Sequence, residues 1–317
     1  MAFLQRKGEK GGLLLRPAYL LRGGLLLLFL LPLPFGGYPL YLATEAAFLG
    51  LAAVALGFLL GHAGIPSLGQ AAFLGLGAYA GALALIGGLP FWAASLAGLG
   101  AAAFYALVTG LLVFRTRGIY VLMLTLAFGQ MVYSAAYKWV GLTGGDDGLN
   151  LSGLKIDPRL LHLGAVALLF LALWGLGLLL RAPFGKALEA LRQNEEKARS
   201  LGIPAFGYKL VAYVLAAALT GLAGMGLALH RTFVSPHDLF WLTSVVLLIL
   251  VLLGGSRGLW GAAFGALFYT FVQAWVSSFT DLWMLFVGLF LIATVLFARE
   301  GLWSFLERRL GGGDGAP

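Results

Sequence analysis

The chain has 317 residues, 61% hydrophobic and only 11% charged, with a mean hydropathy of +0.94 and a net charge of +8. Soluble domains carry about 25% charged residues, and one core cannot hide this much apolar surface, so lipid is the expected solvent for most of the chain. That excludes an ordinary soluble enzyme, a nucleic-acid-binding module and a disordered linker. The absence of cysteine excludes disulfides, thiol catalysis and cysteine–metal sites.

A bilayer-crossing helix needs about 20 mostly apolar residues. On that measure ten spans are predicted, at 20–36, 39–60, 67–87, 90–114, 118–140, 160–180, 207–230, 239–254, 259–279 and 282–298. The first has a basic start, as a signal peptide does. Pro32, Pro34 and the bulky residues after them offer no small-residue cleavage site, so it is expected to stay as a helix. Placing the N-terminus inside puts 17 of the 21 basic residues on the cytoplasmic side and leaves Lys138, Lys155, Arg159 and Arg231 outside. This positive-inside bias fixes the orientation, with both termini cytoplasmic.

Polar residues inside the spans are few. Glu45, early in the second span, is expected either at the outer interface, in a structural hydrogen bond, or on the path where it would meet a substrate ammonium group, because a carboxylate facing lipid costs about 2.5 kcal/mol or more. Gln70, Thr125, Gln130 and Gln273 suit bonds between helices or the lining of the same path. The long outer connection from Gly141 to Arg159 carries Thr-Gly-Gly-Asp-Asp-Gly, a turn signature. Its Asp146-Asp147 pair reads as a solvated turn rather than a cation site.

Between spans six and seven lies the longest polar stretch, Arg181 to Pro204, expected as one cytoplasmic helix. Pro183 suits its first turn, and Gly202 and Pro204 suit its end. Glu195 and Arg199 are spaced for an i, i+4 pair, Arg192 and Glu196 for the reverse pair. Ala187, Leu188, Leu191, Ala198 and Leu201 form one apolar stripe. The stripe suits either the inner membrane surface or the groove of a cytoplasmic partner. Further on, Gly254-Gly255-Ser256-Arg257-Gly258 matches G-x-S-x-G in form but lacks the strand it needs, and reads as a tight inner turn. The four histidines lack metal-ligand spacing, and no Walker A sequence occurs.

Several of these segments together resemble the permease subunits of branched-chain amino-acid ABC importers. They are Ser67-Leu68-Gly69-Gln70-Ala71-Ala72-Phe73, Arg117-Gly118-Ile119-Tyr120 with Thr125-Leu126-Ala127-Phe128, Thr143-Gly144-Gly145, Pro183 to Glu195 with Leu201-Gly202-Ile203, and Ser235-Pro236. The Thr-Gly-Gly loop and the Arg-x-Asn-Glu run look like the larger, M-type subunit. The H-type partner and urea permeases share parts of the pattern, and Gly61 to Pro66 departs from it.

The resemblance implies an all-α polytopic membrane protein of about ten transmembrane helices with a cytoplasmic coupling helix. The whole chain, 1–317, is expected as one permease domain, with tails at about 1–19 and 299–317 and a coupling loop at about 181–206. It implies no catalytic residue or metal site, and no cofactor in this chain. ATP and Mg would belong to two cytoplasmic ATPase subunits. A second homologous permease, an external solute-binding protein and the lipid bilayer complete the expected partners, in a bacterial or archaeal inner membrane. Gly185, Glu189, Arg192, Asn194, Glu195, Arg199 and Gly202 would couple to the ATPases. Glu45, Gln70, Thr125, Gln130 and Gln273 would line the path. Leucine, isoleucine and valine are the expected substrates. The alternatives are an ABC permease for urea or other amino acids and an ion-coupled secondary transporter.

Overall fold

A backbone in lipid must satisfy its own hydrogen bonds, and an Ala- and Leu-rich chain does so as helix. The computed structural model describes residues 17–310, except 155, 256, 257, 281, 283, 284, 287, 291 and 293–300. The helices are α1 (Pro17–Leu30), α2 (Gly37–Phe58), α3 (Gln70–Ile86), α4 (Phe91–Val113), α5 (Ile119–Lys138) and a short α6 (Val140–Thr143). They continue as α7 (Pro158–Arg181), α8 (Pro183–Gln193), α9 (Glu195–Ser200), α10 (Ala205–Arg231), α11 (Trp241–Gly254), α12 (Leu259–Ser277) and α13 (Leu302–Leu310). A π-helical turn, Leu59–Ala63, extends α2.

Among the described residues, six helical segments are long and apolar enough to cross a membrane: Gly37–Ala63, Phe91–Val113, Ile119–Lys138, Pro158–Arg181, Ala205–Arg231 and Leu259–Ser277. Three shorter apolar helices, Leu21–Leu30, Gln70–Ile86 and Trp241–Gly254, fall on three more of the expected spans. The expected span 282–298 lies largely outside the described residues.

Two helices form the axis. The α2 helix is buried along nearly its whole length and packs on α7, α10, α11 and α12. The α10 helix packs on α2, α3 and α4. Close approach in the α3–α4–α10 trio depends on glycine. A Cβ on Gly77 would lie 2.1 Å from the Gly221 carbonyl oxygen, and one on Gly98 would lie 2.8 Å from that of Gly77. Small residues bring membrane helices into backbone contact in this way, where burial of leucine offers no advantage over lipid.

The two ends of the bundle differ. At one end α8 packs on the π turn after α2, and Gly57 of α2 touches Val251 and Ala262 beside the α11–α12 turn. At the other end, the two-residue strands β1 (Leu149–Asn150) and β2 (Phe233–Val234) pair antiparallel and join the connection before α7 to the one after α10. The expected turn there is present: Gly144, Gly145 and Gly148 all have positive φ. A Cβ on Gly148 would lie 2.2 Å from the Val234 carbonyl oxygen, so the loops touch through backbone.

Candidate functional site

The polar segment after α7 is two helices rather than the single one expected from its periodicity. Asn194 breaks it, with φ −158° and ψ 101°, and its Oδ1 accepts a 2.9 Å hydrogen bond from the Lys197 amide. Asn194 thus ends α8 and caps α9, which begins with Glu195 and Glu196 where acidic charge suits a helix N-terminus. The end of α9 is as expected. Gly202 is left-handed at φ 87°, and the Ile203 amide reaches back to the Ala198 carbonyl at 3.1 Å, the bond of a Schellman cap.

The break re-aims the side chains. Leu188, Leu191 and Ala198 are buried as expected, whereas Leu201 is 80% exposed. The Glu195–Arg199 pair forms at 2.6 Å. Arg192 and Glu196 do not pair. Arg192 Nη1 instead donates to the Gly61 carbonyl at 2.7 Å, one of the free carbonyls at the π-helical end of α2. A Cβ on Gly64 would lie 2.8 Å from Arg192 Cγ, so this corner fits only glycine. Gly185 is equally constrained, because its Cβ would lie 2.3 Å from the Leu180 carbonyl oxygen.

Glu195 also accepts from Lys209 of α10 at 2.5 Å. Burial alone would raise its carboxyl pKa. Lys209, through hydrogen bond and charge, together with Arg199 and Arg117, outweighs burial and holds it below the ordinary glutamate range. The segment is therefore tied at two points, α8 to α2 through Arg192 and α9 to α10 through Glu195. Glu189, Gln193, Asn194 and Glu196 remain exposed on its outer surface.

Deeper in the bundle, the start of α3 is wrapped in hydroxyl groups. The Leu68 amide donates to Thr125 Oγ1 at 3.2 Å, Gly69 to Ser67 Oγ at 3.2 Å, and Ala71 to Ser244 Oγ at 2.8 Å. Amides that a helix start would leave unpaired are thereby satisfied by α5, α11 and the α3 approach itself. Gln70 is fully buried, with Oε1 2.8 Å from Thr220 Oγ1, which also lies 2.9 Å from the Ala216 carbonyl. Thr220 has one proton for two acceptors. Turning the Gln70 amide over lets Nε2 donate to Thr220 while Thr220 donates to Ala216, a better use of the available protons.

Of the other expected path residues, Gln130 is half-buried on α5 and its Nε2 has no partner among the described residues. Gln273 is half-buried on α12, which packs on α2 and α11. Glu45 stands apart from these, in the third turn of α2. There it pairs with Arg231 at 2.6 Å, and Arg231 reaches Asp238 at 3.1 Å. Asp238 in turn accepts from the Ser235 amide at 3.3 Å in a capping box. One guanidinium thus joins α2, α10 and the connection between α10 and α11. Sequence reasoning counts Arg231 only as an outer charge; its acidic partner lies 186 positions away in the chain.

His162 is likewise unassigned by sequence. It is fully buried on α7, with Nε2 2.9 Å from the Phe29 carbonyl and Nδ1 3.0 Å from Thr44 Oγ1. A carbonyl only accepts, so Nε2 carries a proton, and the ring pins α1, α2 and α7 together. Thr220 and Ser244 join the list of polar residues that the sequence left undistinguished.

Comparison with known proteins supplies the family. A family model described as "Branched-chain amino acid transport system / permease component" matches residues 38–295. The high-affinity branched-chain amino acid transport system permease protein LivM of Escherichia coli K12 is 32% identical over 281 residues, covering 78% of this chain and 65% of that protein. LivM of Salmonella typhimurium LT2 is 31% identical over 295 residues, covering 82% of this chain and 69% of its own length. The match thus spans about two thirds of these relatives. No solved structure matches the chain. With both the family model and these relatives extending over most of its spans, the chain belongs to the branched-chain amino acid transport system permease family.

Proposed function

We propose that this chain is a membrane-spanning subunit of an ATP-binding-cassette importer that moves branched-chain amino acids into the cell by alternating access. It would cross the inner membrane about ten times, with both termini cytoplasmic. It would work beside a second homologous permease, on two ATPase subunits that bind ATP and Mg, and receive substrate from an external solute-binding protein. The chain itself has no catalytic role in this reading.

The observation that carries the proposal is the double tie of α8–α9. A cytoplasmic element that transmits ATPase motion needs exposed polar groups for the partner and rigid attachment to helices inside the membrane. Glu189, Asn194 and Glu196 supply exposed groups, while Arg192 and Glu195 attach the element to α2 and α10. Gly185 and Gly202 set its corners, and Arg199 braces Glu195. These residues form the coupling element, as two helices rather than one.

Movement imposed at Gly61 would travel along α2, whose 27 residues to Ala63 span about 40 Å at 1.5 Å per residue. Glu45, 16 residues and about 24 Å back along it from Gly61, in this reading shuts the outer side through Arg231 instead of meeting the substrate. Gln70, Thr125 and Gln130 remain the path residues on α3 and α5, with Gln273 a further lining group on α12. A substrate with an apolar side chain needs few polar contacts beyond its amino and carboxylate groups.

The test is reconstitution of the chain with its ATPases and permease partner in liposomes, supplied with binding protein and labelled leucine. ATP-dependent uptake that fails in an Arg192→Ala, Glu195→Ala double variant supports the reading. Uptake by the isolated chain under an ion gradient, without ATP, would overturn it.

A further inference from the structure

We infer that the π turn at the end of α2 is a two-state switch, set by Arg192, that passes movement of α8 to the start of α3. The inference rests on the coupling role proposed for α8–α9. It adds a second conformation and the element that receives the movement.

An α-helix pairs each amide with the carbonyl four residues back. Over Leu59–Ala63 the pairing is five residues back, and single π turns of this kind occur mostly at functional sites. Beyond the turn, the Gly64 and Ile65 amides both reach the Leu59 carbonyl, the latter at 2.9 Å. Were the turn α-helical, the Ile65 amide would bond to the Gly61 carbonyl instead. That carbonyl is the one to which Arg192 Nη1 donates at 2.7 Å. The Arg192 stem also lies against Gly64, where a Cβ would be 2.8 Å from Arg192 Cγ and 3.3 Å from its Cβ. The side chain therefore takes the acceptor and fills the space that rewinding would need. With Arg192 seated the π form is held; with Arg192 withdrawn the α form gains a bond.

The local sequence keeps the two forms close in energy. Gly64 has φ 66° and ψ 28°, and glycine takes left- and right-handed backbone about equally well. Pro66 has no amide to leave unpaired in either form, while its ring disfavours helical backbone at Ile65 and so opposes the α form. A bond present in only one form, Arg192 to Gly61, then decides between them. Each residue wound from extended chain into helix shortens the link to α3 by roughly 2 Å. That link has no slack. Ile65 and Ser67 are buried, and the Leu68 and Gly69 amides are held by Thr125 and Ser67. A pull at Gly64 therefore falls on Gln70, the first residue of α3, which lies against Thr220 of α10.

The experiment uses the chain assembled with its ATPases and permease partner in lipid bilayers. Labelling with 13C-glycine and 15N-isoleucine confines the solid-state NMR signal in this chain to Gly64–Ile65, Gly118–Ile119 and Gly202–Ile203. An Ile65→Val variant identifies the first pair, and the glycine carbon shifts distinguish left- from right-handed backbone. Nucleotide-free wild type is expected to give the left-handed Gly64 signal, and the complex trapped with ATP and vanadate the right-handed one. Arg192→Met keeps the stem but not the donor. It is expected to move the ratio of the two forms toward the α form by roughly ten- to a hundred-fold without ATP, while Arg192→Lys restores much of the left-handed signal. An unchanged Gly64 signal in trapped wild type would overturn the inference, and that arm decides alone if Arg192→Met does not assemble. A Gly64 signal in Arg192→Met that matches wild type would overturn it too. ATP-driven leucine uptake beside a fixed Gly64 would sink the switch alone. Uptake under an ion gradient without ATP would sink the coupling reading but not the competition for Gly61, so the two fail separately.

Discussion

Replacing Gly77 with alanine tests whether backbone contact holds the α3–α4–α10 trio together. The new methyl group would lie 2.1 Å from the Gly221 carbonyl oxygen and 2.4 Å from its Cα. Ordinary contact begins near 3.4 Å, so α3 and α10 must separate by about 1.3 Å. No side chain can swing aside, because the obstruction is backbone. Gly98 sits against the Gly77 carbonyl at the same crossing, so α4 must yield as well. Overpacking of this kind costs about 1–3 kcal/mol, against a gain of up to about 1 kcal/mol from the better helix propensity of alanine. The control is Gly100→Ala on α4, which has nothing within 4 Å of the new methyl group and reports propensity alone. Reversible unfolding in mixed micelles is expected to show Gly77→Ala destabilised by about 1–2 kcal/mol net and Gly100→Ala unchanged or stabilised. A Gly77→Ala protein as stable as Gly100→Ala would refute close contact at this crossing.

Removing the Glu45–Arg231–Asp238 bridge in Arg231→Ala is expected to speed amide exchange across residues 233–239 while leaving α12 unchanged, as read by exchange mass spectrometry. Asn194→Ala removes the α9 cap, about 1 kcal/mol, and is expected to lower substrate-stimulated ATPase activity of the assembled transporter more than its assembly. His162→Ala strips a partner from the Phe29 carbonyl and from Thr44, and unfolding is expected to show a loss of roughly 1–3 kcal/mol. The Glu195 carboxyl is held low in the folded protein, so its contribution is fully present above the ordinary glutamate value of 4.5 and is lost as pH falls below it. A melting series from neutral to acid pH is expected to show this loss in wild type, and a shallower one in Lys209→Gln.

Six of the expected spans were legible because lipid enforces length and apolarity together, two constraints that a single chain displays openly. Gly202 and Pro204 announced the end of α9 for the same reason, since few residues can stop a helix so cheaply. The sequence reading missed Asn194 as a cap, because a 3.6-residue stripe running through it concealed the break. The stripe then misplaced Leu201 and paired Arg192 with Glu196. Arg192 left no trace of its true partner, because a backbone carbonyl has no letter in a sequence. Glu45 and Arg231 were each visible, yet nothing local distinguishes an interfacial charge from one bridged across 186 positions. Hydroxyls were the most opaque. Thr220 can close a bond onto its own helix at Ala216, so a threonine inside a span carries no sign of which neighbour it serves.

The glycine crossing of α3, α4 and α10 also sets an order of events during synthesis. Gly77 and Gly98 enter the membrane well before Gly221 exists, and the ribosome needs roughly 6–25 s to make the intervening stretch. Throughout that interval two helices wait in lipid with their small-residue faces uncovered. Their correct neighbour arrives only when α10 is inserted. A sequence change that delays α10, or offers α3 and α4 another small-residue face in the meantime, would act on yield before it acted on transport.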